Sequence, residues 1–175
     1  MVVAQLRVLN LTGHDYELTL NPWRDWVVLP PRGTVCIRHE LPSHGWAELD
    51  VSEWGALYHG WDGHSCELTI GEGPSAERRS LRAPARPAIL DANRPKDLVA
   101  WATALPERYQ RLRVDDYRAQ PRPLVVIGPK GEIRHTSGPL LMSADSDSAL
   151  ELVLRADGDT TVRTSEGITI HSRRR

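Results

Sequence analysis

The chain has 175 residues, of which 40% are apolar and 26% charged, with a net charge of −1, 6 Trp, 13 Gly, 13 Pro and no Phe. A chain of this size makes one domain or two small ones, and no stretch approaches the ~20 consecutive apolar residues of a membrane helix, so no membrane contact is expected. The near-zero charge argues against a dedicated nucleic-acid binder. The start, Met1 to Arg7, lacks the basic segment and long apolar core of a secretion signal, so a cytoplasmic setting with Cys36 and Cys66 reduced is expected.

The near-neutral total hides three unlike segments. Residues 1–72 carry 4 Arg/Lys against 10 Asp/Glu, residues 73–122 carry 11 against 6, and residues 123–175 carry 7 of each. In the first segment, Leu6 to Asn10 alternates apolar and polar, and Gly13-His14-Asp15 makes a turn. Tyr16 to Leu20, Trp26 to Leu29, Thr34 to His39, Trp46 to Val51 and Cys66 to Ile70 follow as further short strands. Turn residues recur between them, as in small sandwiches and barrels. Residues 1–72 therefore read as an acidic, Trp-rich β lobe.

Residues 73–96 change character. Arg78, Arg79, Arg82, Arg86 and Arg94 alternate with Pro74, Pro84, Pro87 and Pro95, a composition that builds no core and reads as an extended basic connector. Residues 97–122 read as a short helical segment. Asp97 is the expected N-cap, Leu98, Trp101 and Leu105 share one helical face, and Pro106 is expected to open a second helical turn over Glu107 to Arg113. Residues 123–175 return to β. Leu124 to Ile127 turns through Gly128-Pro129-Lys130-Gly131 into Glu132 to His135, and Leu150 to Arg155, Thr160 to Thr164 and Ile168 to His171 read as a three-stranded meander. That tail either stands alone or completes the sheet begun at the N-terminus. The expected class is mainly β, a small sandwich or barrel with one short helical segment in the middle.

Chemistry-bearing residues are sparse. Gly-x-Ser-x-Gly, the phosphate loop and Gly-x-Gly-x-x-Gly are absent from the sequence. The densest cluster, Tyr58 to Cys66, holds His59, Asp62, His64 and Cys66; His59, His64 and Cys66, with His39 as a fourth, form a candidate site for zinc or another divalent transition metal. The spacing matches no common zinc pattern, so the favoured reading is a turn with exposed histidines, a buried Cys66 and no cofactor. Leu29 to His39 loosely resembles the second metal motif of cupins, but its histidine comes too late after Gly33, and a plain turn is favoured. Five of the six tryptophans lie in the acidic lobe. Trp26 and Trp46 read as core, whereas Trp23, Trp54 and Trp61, beside Pro, Gly or charged residues, read as a rim available to a partner.

Leu9-Asn10-Leu11-Thr12-Gly13-His14, followed by Leu29-Pro30-Pro31-Arg32-Gly33-Thr34-Val35, resembles a pattern in small uncharacterised β-rich proteins of actinobacteria and their phages. There the opening reads Leu-Asn-Leu-Thr-Pro-His and the later turn Pro-Ser-Gly-Thr-Val. This chain has Gly13 in place of that proline and Arg32 in place of that serine. The resemblance spans about a fifth of the chain and implies a β-rich first lobe and a bacterial or phage origin, with no activity to carry over.

The expectation that follows is a protein-interaction or assembly protein rather than an enzyme. Its acidic Trp-rich face would meet a basic partner surface, with Arg78, Arg79, Arg82 and Arg86 as the basic arm that contacts a partner or a sister subunit in a homo-oligomer. A metal-dependent small-molecule enzyme or sensor on a β-barrel is the alternative, and a nucleic-acid accessory protein the third reading.

Overall fold

A computed structural model describes residues 1–61, 63–82, 95–118, 124–128, 131–135, 139–146, 148–155, 160–164 and 169–171. The described residues form fifteen strands and one α-helix. The strands are β1 (Val2–Leu11), β2 (Tyr16–Asn21), β3 (Asp25–Leu29), β4 (Thr34–Leu41), β5 (Ala47–Val51), β6 (Gly55–His59), β7 (Cys66–Ile70) and β8 (Glu77–Leu81) before the helix α1 (Lys96–Ala104). After it come β9 (Tyr109–Asp116), β10 (Leu124–Gly128), β11 (Gly131–His135), β12 (Leu140–Asp145), β13 (Leu150–Arg155), β14 (Thr160–Thr164) and β15 (Thr169–His171). The class is mainly β, a two-sheet sandwich with one short helix.

One sheet runs β11-β10-β14-β13-β1-β4-β7-β8 and the other β15-β12-β9-β5-β6-β2-β3. Strands from both ends of the chain share both sheets. In the first, β1 pairs in parallel with β13, Leu6 opposite Leu150; in the second, β5 pairs in parallel with β9, Leu49 opposite Val114. Alternation sends Leu6, Val8, Leu18, Leu20, Ile37, Leu49, Leu112, Val114, Leu152 and Val162 into one continuous core between the sheets. The acidic front and the neutral tail thus belong to one packed body.

Five sequence expectations differ from this arrangement, the first being the N-cap: α1 begins at Lys96 after Pro95, which puts Asp97 inside its first turn. The helical turn expected over Glu107 to Arg113 is instead the strand β9. Leu105 before Pro106 is extended, with φ −93° and ψ 147°, so the proline closes α1 rather than opening a second helix. Leu112 and Val114 then alternate into the core with Arg113 and Asp115 outward. Part of the expected connector is the edge strand β8, whose polar Glu-Arg-Arg-Ser sequence needs no apolar face because it pairs only with β7. The meander is broken, since β15 leaves β14 and pairs with β12 in the opposite sheet. The tryptophans change places too: Trp23 is 9% exposed and packs in the core, whereas Trp26 is 60% exposed. Trp26 sits on edge strand β3 next to inward Val27, so alternation alone turns it to solvent.

The helix lies on the outside of the seven-stranded sheet. Leu98, Trp101 and Ala102 bury against Trp46 and Leu141. Arg111 on β9 is buried beneath its end and donates to the carbonyls of Leu105 at the helix C-cap, of Pro106 in the connection and of Tyr109 in β9, so it ties the helix end to the strand. This half of the sheet's outer face is covered.

Candidate functional site

The other half of that face, over β5, β6, β2 and β3, is left open by the described residues. Strand register sets its rows. Trp26 lies opposite Thr19, Thr19 opposite Leu57, Leu57 opposite Asp50, and Asp50 opposite Asp115. The next row joins Val28, Glu17 and Gly55. A cleft of about 470 Å3 opens there, lined by Glu17, Asp50, Trp54, Gly55, Leu57 and Tyr117 among others. Trp54 and Tyr117 are 68% and 67% exposed.

Hydrogen bonds fix the cleft walls from below. Trp54 belongs to the tight turn between β5 and β6, in which Ser52 N–H donates to the Gly55 carbonyl at 2.8 Å. The buried Tyr16 hydroxyl donates into this turn, 2.8 Å from the Gly55 carbonyl and 3.1 Å from that of Ser52. The Trp54 carbonyl accepts from Glu17 N–H at 3.1 Å. The indole itself packs against His14, with ring centroids 4.5 Å apart. On the far wall, Tyr117 N–H donates to the Val51 carbonyl at 2.9 Å, and Arg118 grips Asp116 just beside it through Nε at 2.8 Å and Nη2 at 2.7 Å.

His14 is held in turn by Asn10, which is fully buried. Its amide donates to the carbonyls of His14 and Leu29, both at 2.9 Å, and its oxygen accepts from Thr12 N–H and Oγ1. The Asn10 carbonyl accepts from Arg32 N–H, and Asn10 N–H donates to Gly33 at 3.0 Å. The two sequence segments Leu9–His14 and Leu29–Val35 therefore meet as one hydrogen-bonded knot, and the knot leads through His14 to the cleft.

The cleft is electrostatically unbalanced. Asp50 and Asp115 are directly opposite on neighbouring parallel strands, an unfavourable like-charge pair. Arg113 serves Asp115 at 2.9 Å and Glu48 at 3.9 Å. Among the described residues no cation pairs with Asp50 or Glu17. Partial burial, then Asp115 and Glu48, push the Asp50 carboxyl up from its ordinary value, and the Tyr117 phenol is raised by Asp115 and Asp50. The outer face of the other sheet is unlike it: Arg7 pairs with both Glu72 and Glu151, and Arg163 adds to Glu151 at 3.8 Å.

The candidate metal ligands face different ways among the described residues. His59 points outward on β6 and is exposed, whereas Cys66 points into the core, where burial pushes its thiol up to about 12. Asp62 lies outside the described residues, among which no group of three or more His, Cys, Asp or Glu side chains is placed to hold a metal ion. Gly60 serves packing, since a Cβ there would sit 2.2 Å from Trp23 Cη2. Trp23 Nε1 donates to the His64 carbonyl at 2.6 Å, which explains how an indole beside Pro22 is buried. Behind it His39 Nε2 lies 2.6 Å from the Tyr58 hydroxyl, and burial holds the His39 pKa down at about 4.

Trp61 is half-buried, edge-to-face with Trp46 at 5.2 Å, beside a smaller apolar pocket of about 310 Å3 under α1. Of the arginine arm, Arg78 and Arg82 are exposed. Arg79 is engaged within the chain, 2.6 Å from Glu77 and 3.5 Å from Asp25. Arg86 lies outside the described residues. Sequence reasoning missed Glu17, Asp50 and Tyr117; the charge total of the first segment pointed to an acidic face without saying which carboxylates share it.

No family model matches the chain, and no curated protein or solved structure matches it. Among the described residues, fold and cleft define the class by themselves: a β-sandwich that carries ion pairs on one outer face and an acidic, aromatic cleft on the other. No helix among the described residues is long and apolar enough to cross a membrane.

Proposed function

We propose that this is a non-enzymatic interaction protein that binds a basic protein surface on the open face around Trp54. The observation that carries this reading is the cleft of about 470 Å3, in which exposed Trp54 and Tyr117 flank Asp50 and Glu17. Exposed aromatic rings offer a partner apolar area to bury, and the carboxylates beside them offer a charge for it to complement. Exposed Arg78 on the opposite sheet's edge strand and Arg82 just after it give a sister subunit a basic surface of the required sign.

The test is fluorescence anisotropy of a labelled mixed Arg/Lys peptide at low and high salt. Wild type binds, binding falls as salt screens the face, and the double variant Glu17→Gln/Asp50→Asn loses it. Equal binding by wild type and double variant overturns the reading. Light-scattering mass reports on the sister-subunit component: Arg78→Ser/Arg82→Ser lowers the mass of the assembly, and an unchanged mass removes that component.

A further inference from the structure

We infer that the cleft takes the guanidinium of a single arginine side chain from the partner, in preference to a lysine ammonium. The inference rests on the proposed function and narrows it to a ligand group. Three features of the cleft carry it.

The first is charge. Arg113 pairs with Asp115 and Glu48, Arg113 and His59 both act on Asp50 without pairing with it, and no cation among the described residues pairs with Glu17; the in-register Asp50–Asp115 pair keeps a repulsion that an incoming cation relieves. A neutral ring such as a sugar would leave that repulsion in place. The second is shape. Trp54 and Tyr117 offer flat, largely exposed π faces, one held by His14 and the Ser52–Gly55 turn, the other by Val51. A guanidinium is planar, stacks on aromatic faces and is weakly hydrated; an ammonium is compact and keeps its water. Its five fixed donors can also serve Asp50 and Glu17 at once.

The third is the floor. Gly55 faces outward between Glu17 and the strand β5, and a Cβ at this position would lie 2.7 Å from the Glu17 carbonyl oxygen. Only glycine lets β6 approach β2 this closely, and Gly55 contributes bare backbone to the cleft lining.

The experiment uses N-acetyl-arginine amide and N-acetyl-lysine amide as probes, read by NMR at the Trp54 indole N–H and the Tyr117 amide. The arginine probe shifts both signals and half-saturates at about threefold lower concentration than the lysine probe, as expected for a stacked cation. Asp50→Asn weakens the arginine probe about fivefold, the scale of one part-exposed ion pair. This variant is isosteric and removes the Asp50–Asp115 repulsion, so lost binding does not reflect unfolding. Equal half-saturation by the two probes, or arginine shifts that map elsewhere, overturns the inference.

Arginine-only and lysine-only peptides separate this failure from failure of the underlying reading. If both bind equally and both are lost in Glu17→Gln/Asp50→Asn, the acidic face stands and the arginine preference falls. If neither binds, both fall.

Discussion

Lowering the pH should destabilise this protein through one buried imidazole. His39 is 3% exposed, faces Tyr58, Trp23 and His64, and has its pKa held at about 4 against an ordinary 6.5. Burial disfavours the charged ring, and the hydrogen bonds fit the neutral form: Nδ1–H donates to the Glu40 carbonyl at 3.2 Å and Nε2 accepts the Tyr58 proton at 2.6 Å. The unfolded chain therefore binds a proton at His39 at higher pH than the folded chain. Stability from this residue is complete above the unfolded value and is lost as pH falls through 6.5 toward 4. A separation of this size amounts to about 3 kcal/mol in full, of which about 2 kcal/mol is gone by about pH 5. Urea unfolding at about pH 7.5 and about pH 5, for wild type and His39→Gln, isolates the term, because the surface carboxylates titrate alike in both proteins. Wild type should lose about 2 kcal/mol more than the variant over that interval. Parallel losses in the two proteins would refute the assignment.

Other consequences are equally direct. Asn10→Ala removes four hydrogen bonds from a fully buried site and should cost about 3 kcal/mol in urea unfolding, with a change in Trp54 emission as His14 loosens. Gly60→Ala drives a methyl into the Trp23 ring and should cost about 2 kcal/mol or more; unchanged thermal stability would show that Trp23 has room to move. Asp50→Asn should stabilise by about 0.5 kcal/mol near neutral pH by ending the like-charge pairing with Asp115, and the gain should shrink as pH falls and Asp50 protonates. Arg79→Ala should change stability by less than about 1 kcal/mol, yet promote concentration-dependent association. Its guanidinium lies 3.4 Å from the Trp26 carbonyl while Asp25 accepts from Trp26 N–H, so together they cap a free sheet edge. A light-scattering mass independent of concentration would argue against that capping role.

What the sequence by itself determined was local. Period-two alternation placed β2, β4, β5 and β7 within a residue or two and found β1 but began it four residues late, and Leu98 and Trp101 marked one helical face. It failed where the local signal was weak or shared. The Arg-rich β8 has no apolar face, and Pro106 is equally acceptable as a helix start or as the stop it proved to be. Nothing local told Trp23 from Trp26; the first is buried where Gly60, 37 positions away, leaves room for its ring and the His64 carbonyl accepts its Nε1–H. The acidic charge of residues 1–72 was legible, but its focus was not. Asp50 and Asp115 are 65 residues apart and become neighbours only through the parallel pairing of β5 with β9. Tyr117 reaches Trp54 by the same route, and the apparent His59–Cys66 cluster is divided by strand geometry, which turns one residue to solvent and the other into the core. Composition and alternation act over a few residues; parallel pairing and close approach of distant backbone are properties of the closed sandwich, and they decide which side chains share a cleft.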